Sequence, residues 1–129
     1  MGFVQYHDPA AELPPATRTF ARLCASLTEE AEAIGWYEQR LALEPDSEAR
    51  AIMRDAQGEE FKHFSMDLEL LLRRTPSWRE VAQGILFQTG DIVEHGEEAE
   101  AETFEGGTGT EGGYEDGSLG IRSLRGASR

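Results

Sequence analysis

Three side chains able to bind a cation stand where an amphipathic helix would carry apolar residues: Glu30, Glu60 and His63. Glu30 lies one helical turn from both Leu27 and Ile34, and Glu60 and His63 interrupt a stripe running from Ala56 to Leu70. An ionised carboxylate facing a core is expensive unless a charge or a metal compensates it. At i, i+3 spacing Glu60 and His63 project from the same side of a helix. With 19 Glu and 3 His in 129 residues, a Glu-x-x-His pair arises by chance roughly 0.4 times per chain, so the motif alone is weak. Spacing alone is equally compatible with Glu30 as a rim residue and His63 as a hydrogen-bonded core histidine. The partner Glu30 on the preceding helix raises the metal reading. A di-iron site in a helical bundle takes a Glu from each of two helices and a Glu-x-x-His from each of the other two. This chain supplies half of that set, and a two-fold dimer would supply the rest. The mixed oxygen and nitrogen donors suit iron in both oxidation states, and Zn, Mn or Ca are possible substitutes.

Around this trio the chemistry is sparser. Glu29, Glu32 and Trp36 share a neighbouring face, where carboxylates could guide incoming cations, although a solvated acidic face explains the spacing more simply. Cys24 is the single cysteine, so no intramolecular disulfide can form and a reducing compartment is the default. No Ser/His/Asp arrangement, phosphate-cradling glycine loop or Cys-rich metal site is present.

The elements that must position these groups read as helices. Phe20, Leu23, Leu27, Ala31, Ile34, Tyr37 and Leu41 recur at steps of three and four, after Pro14 and Pro15, which a first helical turn tolerates. Glu44-Pro45-Asp46-Ser47 breaks this helix, and Asp46 or Ser47 can cap a second. The second helix carries one stripe through Ala49, Ile52, Ala56, His63 and Leu70, and another through Phe61, Phe64, Leu68 and Leu71. Ser77 and Glu80 have the form of a capping box for a short third helix showing Trp78, Val81, Ile85, Ile92 and Val93, weakened by Gly84 and Gly90. Gly35 and Gly58 also fall inside helices, each at a cost of about 1 kcal/mol relative to Ala. The expected fold is all-α: an antiparallel two-helix hairpin with a short third helix. Such a hairpin cannot bury both faces of its second helix, so self-association is expected, completing a four-helix bundle by homodimerisation.

Charge divides the chain into three. Residues 1–96 carry 17 acidic and 9 basic side chains, 97–117 carry 8 acids and no base, and 118–129 carry three arginines and no acid, which sum to the net −13. An acidic surface of this size disfavours nucleic acid or an anionic membrane as partner and attracts cations. No apolar run approaches the roughly 20 residues of a membrane span, and a cytoplasmic location is expected. We read a helical domain over 14–96, a flexible Gly-rich acidic linker over 97–117 and a separate functional segment over 118–129.

The motifs resemble those of encapsulated ferritins, cargo proteins of encapsulin nanocompartments. The run Glu29-Glu30-Ala31-Glu32-Ala33-Ile34-Gly35-Trp36-Tyr37-Glu38-Gln39-Arg40 is similar to the family's first-helix signature. Glu59-Glu60-Phe61-Lys62-His63, with Met66 and Leu71-Leu72-Arg73-Arg74, is similar to its second. Ser118-Leu119-Gly120-Ile121-Arg122-Ser123-Leu124-Arg125-Gly126 resembles the peptide that directs cargo into an encapsulin shell. The resemblance implies a ferroxidase that oxidises Fe2+ with dioxygen and stores mineral in the shell lumen. Its centre would hold two irons per dimer between Glu30, Glu60 and His63 of both chains, with Tyr37 close by. It further implies a metal-entry site at Glu29 and Glu32, an interface Trp36, and dimers assembled into a ring, a decamer in the family. The competing expectation is a non-catalytic acidic helical cargo or assembly protein of an encapsulin.

Overall fold

Proline placement sets where the helices start. In the computed structural model, which describes residues 5–105, a single 3-10 turn at Ala10–Glu12 precedes α1, Pro15–Leu43. Pro14 and Pro15 sit at its N-terminus, where a missing N–H leaves no bond unmade. Residues 44–46 reverse the chain into α2, Ser47–Arg74. The turn is closed from both sides. Asp46 Oδ1 accepts from the Ala49 amide at 2.8 Å. Arg50 Nη1 donates to the carbonyls of Leu41 and Glu44, satisfying helix-end acceptors that have no partner within α1. Gly35 and Gly58 interrupt neither helix.

α1 packs along α2 as an antiparallel hairpin. α3, Pro76–Ile85, turns back so that Trp78 meets Phe20 near the start of α1, with ring centroids 6.3 Å apart.

Beyond Ile85 the structure departs from the sequence-based expectation. The single third helix expected to carry Trp78 through Val93 is two helices, α3 and α4, the latter spanning Ile92–Glu100. Gly90 reverses the chain between them with φ +97°, a conformation open to glycine, and Phe87 takes φ +61° in the same turn. Asp91 then caps α4 by accepting from the Glu94 amide at 2.9 Å. A Cβ on Gly84 would lie 2.6 Å from Ala99 Cβ. The two glycines that weaken a single helix are therefore what allow a close-packed pair.

The acidic segment expected to be a linker from residue 97 is helical as far as Glu105, with Ala101–Glu105 continuing α4 in π-helical form. It orders because Ala99 gives it a face to bury against α3, and because Asp91 and Glu94 complement the dipole at its N-terminus. The remainder of the expected linker and all of 118–129 lie outside the described residues.

The described chain has little interior of its own. Its buried apolar residues are Ala25, Leu41, Leu71, Leu72 and Ala99, two of them alanines, whereas Ile52 is 72% and Met66 62% exposed. The hairpin keeps an apolar outer face that nothing within the described residues covers. None of the described helices is long and apolar enough to cross a membrane.

Candidate metal centre

The register of α1 against α2 decides which side chains meet. Gln57, buried between the helices, donates through Nε2 to the Ile34 carbonyl at 3.3 Å and to Glu38 Oε2 at 2.9 Å. Ile34 lies one turn after Glu30 and Gln57 one turn before Glu60. In an antiparallel pair this clamp holds Glu30 level with Glu60.

Glu30, Glu60 and His63 each offer one donor atom, and these atoms all lie within 4.8 Å of one another. Glu30 Oε2 is shielded from solvent and has no hydrogen-bond partner. The Glu30 carboxyl is pushed up to about 7, first by burial, then by a hydrogen bond with Asp67, then by the charges of Asp67, Glu60 and Glu29. That hydrogen bond exists only while the pair holds a proton, because two ionised carboxylates have no donor between them. Among the described residues no ion pair reaches Glu30 or Glu60. Lys62 Nζ instead binds Glu59 Oε2 at 2.5 Å, and Arg73 binds Glu69. The Lys62 hydrogen bond and charge lower the Glu59 carboxyl; burial opposes this, and the charge of His63, 3.9 Å away, adds to it.

Two inward carboxylates, one left without a donor and both without a countercharge, present what a cation resolves. Two carboxylates and an imidazole form a hard-oxygen and nitrogen donor set that suits iron and also accepts zinc or manganese. The residues present fit a bound metal. The His63 side chain remains 48% exposed, so the site opens towards the uncovered face of the hairpin.

The other expected site residues are not part of this group. Tyr37 is half-buried two turns beyond Glu30, with the Arg40 guanidinium 5.3 Å from its ring centroid. Glu29 and Glu32 are exposed, Glu29 acting on Glu30 through its charge. Trp36 is 54% exposed. The tag, Ser118 to Gly126, lies outside the described residues. Sequence reasoning missed Asp67 and Gln57. Asp67 continues the Glu60–His63 face at i+4 from the histidine, a signal that was available. Gln57 looks like any helical glutamine until the partner helix is in place.

Fold and site together define a class: a helical hairpin that brings carboxylates and a histidine together on one face, as carboxylate metalloproteins of helical bundles do. The chain matches the EncFtn-like family over residues 5–89. It is 40% identical over 122 residues to a ferritin-like protein of Thermotoga maritima, covering 93% of this chain and 97% of that one. It is 37% identical over 122 residues to an encapsulated ferritin-like protein of Rhodospirillum rubrum, covering 93% and 87%. Among solved structures it superposes on protein ne0167 from Nitrosomonas europaea with TM-score 0.66 and 36% identity, over 67% of this chain and 96% of that one. The chain belongs to the encapsulated ferritin-like family, and its all-helical, ferritin-like fold agrees with that membership.

Proposed function

We propose that two copies of this chain form a ferroxidase that oxidises Fe2+ to Fe3+ with dioxygen and supplies ferric iron for storage within an encapsulin shell. The observation that carries the reading is the convergence of Glu30, Glu60 and His63 within 4.8 Å, with a shielded Glu30 oxygen that has no partner. Family membership supports an iron-related role. In this reading iron is the substrate: each Fe2+ gives up one electron, and dioxygen takes the electrons up. The protein's part is positional. Glu30 and Glu60 supply anionic oxygens whose attraction is greater for Fe3+ than for Fe2+, His63 supplies a nitrogen donor, and Gln57 holds the helix register. In the assembled dimer Tyr37 would stand close to the centre, and the exposed Glu29 and Glu32 would form an acidic approach for incoming cations.

One hairpin supplies two carboxylates and one imidazole, half the set a dinuclear centre requires. A second copy across a two-fold axis brings the same three residues again. The exposed apolar residues Trp36, Phe61 and Met66 support such an interface. Dimers would assemble into a ring, with the decamer as the expected size. The Rhodospirillum rubrum relative is named as encapsulated, which supports reading Ser118 to Gly126 as the shell-binding segment. Weak binding by one tag would be multiplied when a ring presents many.

The test is aerobic addition of Fe2+ to the full-length protein, following ferric absorbance. Glu30→Ala and His63→Ala are expected to reduce the rate at least tenfold. Equal rates in wild type and both variants would refute the enzyme and leave the non-catalytic shell cargo.

A further inference from the structure

Asp67 is the side chain at this centre that the ligand pattern does not use. It lies four residues beyond His63 and seven beyond Glu60, so two turns of α2 bring it back to the same face. It is half-buried, and its carboxyl is close enough to Glu30 to share a hydrogen bond. It is not one of the three residues whose donor atoms all lie within 4.8 Å of one another, and it meets that group through Glu30.

Packing does not account for an acid here. Two exposed acids of α2 have partners that need no metal: Glu59 is held by Lys62 and Glu69 by Arg73. Asp67 faces inward against another carboxylate, beside an oxygen that is shielded and has no partner. Two like groups in contact repel when ionised, and a cation between them turns the repulsion into attraction.

We propose that Asp67 is a fourth metal-directed side chain of the hairpin, giving a carboxylate oxygen to the cation held by Glu30, Glu60 and His63. This rests on the metal reading of that cluster. Each hairpin then delivers three carboxylates and one imidazole. The extra anion favours a hard, highly charged ion and so sharpens the preference for Fe3+ over Fe2+.

The test uses full-length protein and Co2+ alone as probe, with affinity by calorimetry, metal count by native mass spectrometry, and the visible Co2+ spectrum. Asp67→Asn is nearly isosteric and removes only the charge. It is expected to weaken Co2+ binding about tenfold or more and to change the spectrum, with helical content unchanged. Asp67→Ser, shorter and uncharged, is expected to do the same. Glu69→Gln, which removes a charge from the same helix away from the cluster, is expected to bind as wild type. Wild-type affinity and spectrum in both Asp67 variants would overturn the proposal, as would equal weakening by Glu69→Gln, which would show a general charge effect. If His63→Ala abolishes binding while the Asp67 variants do not, only the role of Asp67 falls. If His63→Ala also binds as wild type, the metal reading falls with it.

Discussion

A carboxyl that keeps its proton to about pH 7 makes metal binding at this centre a proton exchange. Burial and its acidic neighbours hold Glu30 near that value, so a divalent cation arriving at pH 6 must displace a proton. With a pKa of about 7, roughly nine-tenths of Glu30 is protonated at pH 6 and roughly one-tenth at pH 8. The apparent affinity for Co2+ should therefore weaken about tenfold from pH 8 to pH 6 through one Glu30. It should weaken about a hundredfold if two hairpins each contribute one to a shared centre. Calorimetry in two buffers of different ionisation enthalpy counts the protons released. Glu30 should account for about 0.9 proton per site at pH 6 and about 0.1 at pH 8. Protons from His63 enter the same count, so the quantity to read is the difference between wild type and Glu30→Gln. If that difference were zero at pH 6, the carboxyl would not be where the cation binds, and the argument from its shielded oxygen would fail.

The same carboxyl governs the stability of the metal-free protein. Glu30 holds its proton to about 7 when folded against an ordinary 4.5, so folding takes up a proton between those values and stability falls as pH rises through that window. Glu30→Gln is accordingly expected to raise the metal-free melting temperature at pH 8 and to change it little at pH 4, which a pair of thermal melts checks. Gly84→Ala places a Cβ 2.6 Å from that of Ala99. The resulting overpacking, about 1–3 kcal/mol, outweighs a helix-propensity gain of about 1 kcal/mol, so stability should fall in denaturant titrations and be restored by adding Ala99→Gly. Gln57→Leu removes the bonds to Ile34 and Glu38. It should cost about 1 kcal/mol, since Glu38 can turn to water, and weaken Co2+ binding by letting α1 slide against α2; unchanged affinity would mean that the register is fixed elsewhere.

The sequence by itself determined where α1 and α2 begin and end and which residues could bind a metal. Those facts are local: a proline fits only a first turn, Asp46 caps the helix beginning beside it, and Glu60 and His63 share a face because three residues nearly complete a turn. Local reading failed where two segments had to meet. Whether Gly84 weakens a helix or admits a neighbour depends on Ala99, and whether residues 97–105 are linker or helix depends on α3 offering a surface to lie against. The pairing of Asp67 with Glu30 was likewise decided only in the tertiary structure. It depends on the rotation and register of one helix against another, and no spacing within a single helix encodes either.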